Sequence, residues 1–153
     1  MKLSLPARRL HLKKNQRLMI ELVLSKIKVD ETRNEQVIIL REKQGSRFLP
    51  VVIGMPEVNA IKLKLSGVVP PRPLAHDLMV QIIEKLGARL IRITIDKLEQ
   101  QTFYAKLVLK REGGGEEITV DARPSDSVAL ALRTGAPIFA SEDVVSLAGV
   151  QEI

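Results

Sequence analysis

The sequence DARPSDSVALAL, Asp121 to Leu132, is predicted to contain the end of a strand and the start of a helix. Asp121 follows the short alternating segment EITV and is predicted to end a strand. Pro124 favours the first turn of a helix, where its missing N–H costs no hydrogen bond. The apolar residues that follow predict a buried helix that runs to about Thr134 and stops at Gly135.

A second helix start of the same kind is RPLAHDL, Arg72 to Leu78, which follows a proline-rich connector. Pro73 is predicted in the first turn, and the helix extends from there to about Leu86, where Gly87 stops it. Its apolar residues recur at i+4 spacing, as on one face of an amphipathic helix. They are Leu74, Leu78, Ile82 and Leu86, with Ile83 beside them.

Alternating apolar segments predict the strands that accompany these helices. The predicted strands cover residues 20–29, 37–40, 48–53, 90–95, 103–109 and 117–120. A further helix is predicted to open at Pro56 and to end at Gly67. Because hairpins cannot join parallel neighbours, the predicted fold class is α+β, a mostly antiparallel sheet with helices packed on it.

The two halves of the chain align with each other at an offset of 68 residues, which brings Pro56 onto Pro124 and Gly67 onto Gly135. Self-similarity at a fixed offset is typical of repeated structural units. We therefore predict an internal duplication of a unit that contains three strands and two helices.

Composition limits the class of protein. With 153 residues, 45% hydrophobic and 27% charged, the chain suits one globular domain with a substantial core. No apolar run approaches the roughly 18 residues that a membrane-spanning helix needs, so no membrane span is expected. The absence of cysteine excludes disulfides, thiolate nucleophiles and cysteine-ligated zinc, and a reducing cytoplasm is the expected compartment.

The positive charge of the chain is concentrated at its N-terminus. Six basic residues precede the first acid, Glu21, whereas the rest of the chain carries 18 basic and 18 acidic residues. The net charge of +6 therefore does not indicate a basic groove on the folded domain. We predict a flexible basic extension over residues 1–18 and a folded domain over residues 19–153. The extension mixes leucines with basic residues, which also fits a surface-binding arm or a transit peptide.

His76 and Asp77 are the first candidate site residues. Neighbouring helical residues point about 100° apart, so these two are not expected to bind one metal ion together. One interpretation is structural, with Asp77 favouring the helix dipole and His76 an ordinary surface histidine. The other interpretation makes His76 a general base or a phosphate-facing cation, with Arg72 beside it.

The start of the last predicted helix offers the second group of candidates. In a structural interpretation, Ser125 and Asp126 bind the unpaired backbone amides of the first turn. In a functional interpretation, phosphate oxygens bind at this helix start beside Arg123, and acids at a strand end, such as Asp121, suit a hard metal ion such as Mg²⁺. Glu57, which nearly matches Asp126 under the duplication, could supply another carboxylate. No spacing amounts to a metal signature, and no P-loop, GxSxG or HExxH pattern occurs.

Four segments together resemble the bifunctional nuclease domain family, which is found in bacteria and plants. They are VVIGMPEVNAIKLKLSG, PRPLAHDLM, TFYAKLVL and DARPSDSVALALRTGAPIF, and the similarity runs from about Met19 to Val145. Two positions depart from the family pattern, since Ala75 stands where members usually have threonine and Val58 where they usually have alanine. Losing the threonine hydroxyl removes a helix-start hydrogen bond or a substrate contact.

The resemblance implies an enzyme that degrades both DNA and RNA. Such a nuclease must use water as its nucleophile, because the route through the ribose hydroxyl cannot cut DNA. We therefore expect a divalent metal ion, Mg²⁺ or Mn²⁺, that is held by carboxylates and activates water. The expected catalytic residues are His76, Asp77, Asp121 and Asp126, with Arg72 and Arg123 binding the phosphates of the nucleic acid.

The alternative function is that of a binding or regulatory module without catalysis. In that case the arginines and acids form structural ion pairs, such as Arg72 with Asp126 or Arg123 with Asp77. A duplicated sheet also leaves edge strands of the kind that homodimers cover, so we expect a homodimer or a larger assembly.

Overall fold

The structure, a computed structural model, describes residues 18–152. The basic extension predicted over residues 1–18 lies outside the described residues, apart from Leu18. The described chain forms seven strands and four helices. In chain order these are β1 (Met19–Asp30), β2 (Glu35–Glu42), β3 (Phe48–Ile53), α1 (Met55–Leu65), α2 (Ala75–Lys85), β4 (Ala88–Glu99), β5 (Thr102–Arg111), β6 (Ile118–Ala122), α3 (Pro124–Thr134), β7 (Ile138–Ser141) and α4 (Glu142–Ala148).

All seven strands belong to one sheet with the order β3-β2-β1-β7-β4-β5-β6. Neighbouring strands are antiparallel except for β4 and β7, which run parallel. The predicted fold class, α+β with a mostly antiparallel sheet, is therefore confirmed. The parallel pair arises because the chain returns from α3 to insert β7 between the first and fourth strands.

The predicted duplication is not confirmed by this topology. Two three-strand meanders do lie on either side of β7, and each is followed by a helix. In the second half, however, β7 separates α3 from α4, whereas α1 and α2 follow each other without an intervening strand. The unit of three strands and two helices is thus not repeated unbroken.

Helix α3 is the centre of the helical layer. It packs between α1 and α2 and lies over β4 and β5. Its residues from Ser127 to Ala131 are all buried, as the all-round apolar segment predicted. The helix ends at Gly135, whose φ of 76° is the left-handed conformation that glycine adopts without strain.

Helix α2 is oriented differently from its neighbours, because its apolar stripe faces solvent. The exposed fraction is 50% for Leu78 and Ile82 and 77% for Leu86. The side that faces the core carries His76, the buried residue of this helix, together with the partly buried Val80. The i+4 stripe therefore identifies an outer face of the folded chain.

None of the helices within residues 18–152 is long and apolar enough to cross a membrane.

Candidate functional site

The first turns of α1, α2 and α3 approach one another and bring four polar side chains together. Pro56 and Pro124 lie in the first turns of α1 and α3, as their fixed φ favours. The four side chains bind one another in the order His76, Asp126, Arg123 and Glu57. We refer to them as the His76 cluster.

The His76 imidazole binds the carboxylate of Asp126, with 2.9 Å between Nε2 and Oδ1. Only 10% of the His76 side chain is exposed, so the interpretation of His76 as a surface histidine is wrong. Its second ring nitrogen, Nδ1, has no hydrogen-bond partner among the described residues. Gln36 Oε1 is the one fully enclosed side-chain polar atom without a partner in residues 18–152, so Nδ1 of His76 is not sealed from solvent.

Asp126 is held between two donors. Its Oδ1 contacts His76, and its Oδ2 accepts a hydrogen bond of 3.0 Å from Nε of Arg123. Burial raises the pKa of Asp126, but the hydrogen bonds from His76 and Arg123 outweigh that effect and leave its pKa below the ordinary value. The carboxylate is therefore ionised at neutral pH. No side-chain cap hydrogen bond forms at the start of α3, so the capping role considered for Asp126 is wrong.

Arg123 is the exposed member of the cluster. Its Nη2 lies 3.0 Å from Oε1 of Glu57, and 66% of its side chain is exposed to solvent. Glu57 itself is mostly covered, since only 14% of its side chain is exposed. Glu57 thus joins the same site as Asp126, and the guanidinium of Arg123 presents its remaining donors to solvent.

Asp77 points away from the His76 cluster and binds Arg133. Nε of Arg133 lies 2.8 Å from Oδ1 of Asp77, while Oδ2 accepts the backbone N–H of Leu74 at 3.0 Å. Arg133 also donates to the carbonyl oxygens of Ala129 at 3.1 Å and Ala60 at 3.3 Å. We call these contacts the Arg133 clamp; they join α1, α2 and α3. His76 and Asp77 diverge as predicted for adjacent helical residues, and the catalytic role of Asp77 stays a prediction.

Helix α2 is also capped by the Asp77 carboxylate, since the N–H of Leu74 is the donor at its N-cap position. The structural interpretation of Asp77, as a residue that stabilises the helix start, is consistent with this contact.

Two predicted site residues take no part in either group of contacts. The Asp121 side chain is exposed on the edge strand β6 and forms no hydrogen bond or ion pair with the described part of the chain. Arg72 is exposed in the connector before α2 and likewise has no such contact within residues 18–152. The specific pairs considered from sequence, Arg72 with Asp126 and Arg123 with Asp77, are wrong. Arg133 was missed, although a single arginine in an otherwise apolar buried helix is a usable signal.

The lowered pKa of Asp77 makes the free energy of unfolding depend on pH. The hydrogen bond from Arg133, followed by that from the Leu74 amide, lowers the pKa of Asp77 below its ordinary value of 3.8. A carboxylate with a depressed pKa in the folded state stabilises fully above the unfolded pKa, and this stabilisation is lost as pH falls through the folded value. We expect Asp77→Asn to flatten the pH dependence of the free energy of unfolding below about pH 4, as urea titrations at several pH values would reveal. Parallel curves for the two proteins would contradict this origin.

The described residues include no group of three or more histidine, aspartate or glutamate side chains arranged to hold a metal ion. Two carboxylates, those of Glu57 and Asp126, do form ion pairs with the same guanidinium, that of Arg123. Mg²⁺ is often bound through one or two carboxylates, with substrate phosphates and water completing its shell. Glu57 and Asp126 are therefore the residues of this site that could hold such an ion.

Comparisons with known proteins agree with the resemblance in the sequence. A family model described as the bifunctional nuclease domain matches residues 38–152. An uncharacterized protein of Mycobacterium tuberculosis is 48% identical over 124 residues, which are 81% of this chain and 73% of that protein. Bifunctional nuclease 2 of Oryza sativa subsp. japonica is 29% identical over 128 residues, 82% of this chain and 39% of the rice protein. Bifunctional nuclease 1 of Arabidopsis thaliana is 30% identical over 106 residues, 66% of this chain and 32% of the plant protein.

The fold and the polar site at the helix starts thus occur in a chain whose similarity to one family covers most of its length. The protein belongs to the bifunctional nuclease domain family.

Proposed function

We propose that this protein is a nuclease that hydrolyses phosphodiester bonds of DNA and RNA in the cytoplasm and that the His76 cluster is its active site. Support comes from membership of the family and from plant relatives whose names describe them as bifunctional nucleases. The observation that carries the proposal is the pairing of His76 with Asp126, while Nδ1 of His76 has no partner among the described residues and is not fully enclosed.

In this proposal His76 is the general base. With its Nε2–H donating to Asp126, the imidazole keeps its lone pair on Nδ1, where it can accept a proton from an attacking water. The ionised Asp126 fixes this tautomer and stabilises the imidazolium that forms when the proton is taken. A water nucleophile is required in any case, because DNA lacks the 2′-hydroxyl.

Arg123 is the proposed phosphate contact. Its guanidinium lies at the start of α3, where the helix dipole favours negative charge, and it is the most exposed member of the cluster. Arginine also matches phosphate oxygens with two parallel donors, and such contacts strengthen as charge develops in the transition state. Arg72, exposed in the connector before α2, is a second proposed contact for the nucleic acid.

A divalent metal ion, Mg²⁺ or Mn²⁺, is part of the proposal, with Glu57 and Asp126 as its protein ligands. Two carboxylates and one guanidinium leave the cluster with an excess of one negative charge when the imidazole is neutral. That excess attracts a cation and repels a bare phosphate. When bound, the metal would supply activation of water and neutralisation of phosphate charge.

The proposed function is tested by incubating the purified protein with single-stranded DNA, duplex DNA and RNA. We expect Mg²⁺ or Mn²⁺ to support cleavage of all three substrates, and EDTA to lower the rate at least about 100-fold, since water activation is lost. Arg123→Gln, which keeps the side chain polar but removes its charge, should lower the rate by a similar factor. Cleavage unaffected by both EDTA and Arg123→Gln would contradict this active site.

The alternative, a binding or regulatory module, has one observation in its favour. The charged members of the His76 cluster and of the Arg133 clamp bind one another, as structural ion pairs do. The same assay distinguishes the two functions. Binding of labelled nucleic acid without any cleavage, at every metal tested, would favour the module.

A further inference from the structure

The outer face of α2 is an apolar surface that no part of the described chain covers. Successive helical residues are turned by about 100°, so the side chains of Ala75, Leu78, Met79, Ile82 and Leu86 share one sector of about 100°. Each of these residues is exposed, and the sector contains no polar side chain of α2. An apolar face on a helix is ordinarily buried against a partner.

The exposed apolar area of this surface is large enough for a protein–protein interface. Scaled by ordinary residue areas, the exposed fractions of the α2 side chains and of Leu74 amount to about 500 Å², which is in the range of patches that mark interaction sites. Val68 and Val69 are also exposed, and they line a groove of about 360 Å³ beside Asp77 and Gln81 of α2. These valines lie beside the sector and not within it, and with them the exposed apolar area approaches the roughly 800 Å² per partner that a standard protein interface buries.

The net charge of the folded domain does not oppose a second copy as the occupant. Residues 18–152 carry 18 basic and 18 acidic side chains, so two such domains do not repel each other through net charge. Because the sector itself is uncharged, it also offers no electrostatic complement to a basic or an acidic partner. A face that is apolar along its whole length is, by contrast, complementary to itself.

We propose that the outer face of α2 joins two copies of this chain into a homodimer about a two-fold axis. In an antiparallel pair of α2 helices, Leu78 packs against Ile82 of the partner subunit and Leu74 against Leu86 of the partner subunit. Such a contact is isologous, since each copy contributes the same surface, and it opposes the two helix dipoles. His76 itself lies outside the contact sector, about 60° beyond Met79 around the helix axis.

Sedimentation equilibrium of the full chain tests this proposal. We expect a dimer at about 10 µM, since interfaces of this size dissociate at micromolar concentrations or below. Ile82→Glu places one charge against Leu78 of the partner subunit in each of the two symmetric contacts, and it is expected to weaken association at least about 100-fold, which yields monomers. Glutamate is a good helix former and Ile82 is half exposed, so circular dichroism and thermal unfolding should show a folded variant.

Leu147→Glu is the matched control, because Leu147 is a 72% exposed leucine on a different helix, α4. It should leave the dimer intact. Leu78→Glu provides a second interface variant if Ile82→Glu does not fold. A wild-type protein that stays monomeric at 100 µM would overturn the proposal, as would a dimer that both α2 variants leave unchanged.

Discussion

Replacing His76 by alanine is expected to lower the rate of DNA and RNA cleavage at least about 100-fold, because a positioned general base contributes about 10² to 10⁴ to such reactions. The side chain is nearly buried and anchored by Asp126, so its loss removes the proton acceptor without altering the exposed phosphate contacts. Single-turnover cleavage of labelled oligonucleotides measures the effect on the chemical step directly. The KM for substrate should change little, since Arg123 remains in place.

Asp126→Asn tests the role of the residue that positions the proposed base, His76. The substitution keeps the shape of the side chain but removes the charge that stabilises an imidazolium, and its amide can turn the imidazole to the wrong tautomer. We therefore expect a similar loss of rate together with a changed pH profile. Glu112→Gln, in the exposed hairpin after β5, is the control and should retain full activity. If His76→Ala cleaves nucleic acid as fast as the wild type while folded, the assignment of His76 as base fails.

The rate assays also address Asp121, whose catalytic role stays a prediction. Its side chain makes no contact with the His76 cluster. If Asp121→Ala retains activity while Asp126→Asn does not, the chemistry belongs to the cluster. If both lose activity, the nucleic acid or a metal ion must bring Asp121 into the site.

Arg133→Ala is expected to lower the free energy of unfolding by about 2 kcal/mol, because it breaks an ion pair whose arginine is nearly buried while 30% of the Asp77 side chain is exposed. Only 6% of the Arg133 side chain is exposed. Its removal leaves Asp77 without its charged partner and deprives the carbonyls of Ala129 and Ala60 of a donor. Because the clamp joins α1, α2 and α3, the variant should also loosen the His76 cluster. Urea unfolding followed by circular dichroism measures the loss.

Arg92→Ala is the control variant, because it breaks an ion pair that is more exposed than that of Arg133. Arg92 binds Glu117 through two hydrogen bonds of 3.0 and 2.6 Å, but 45% of the Glu117 side chain is exposed. Solvent-exposed pairs contribute about 1 kcal/mol or less, so this variant should lose far less stability than Arg133→Ala. Equal losses of unfolding free energy in the two variants would show that the contacts of Arg133 stabilise the fold no more than those of an exposed pair.

Much of the secondary structure could be predicted from local sequence. Helix α3 begins at Pro124 and ends before Gly135, and β3 spans Phe48–Ile53, as predicted. Both elements have strong local signals, namely a proline and a glycine for the helix and an apolar run for the strand. Strand β7 was missed because it has four residues, all buried, and therefore shows no alternation. Helix α4 was missed because it is only seven residues long.

The candidate site was predicted only in part. The sequence singled out His76, Asp126 and Arg123, and it suggested Glu57 as an additional carboxylate, and the structure brings all four together. The sequence did not reveal which acid binds which arginine. That choice depends on how three helices are rotated about their axes, and His76 and Asp126 are 50 residues apart in the chain.

By itself, the sequence of this protein determined the positions of most helices and strands, that the sheet is mostly antiparallel, and which residue types stand at the helix starts. These features follow from interactions among near neighbours, such as the fixed φ of proline and the periodicity of apolar residues. Only the tertiary structure decided that β7 lies inside the sheet, that α2 turns His76 inward and its leucines outward, and that Asp77 binds Arg133. Such contacts join residues distant in sequence, and they depend on how the buried helix α3 packs against α1 and α2 while the charged groups at its ends are paired.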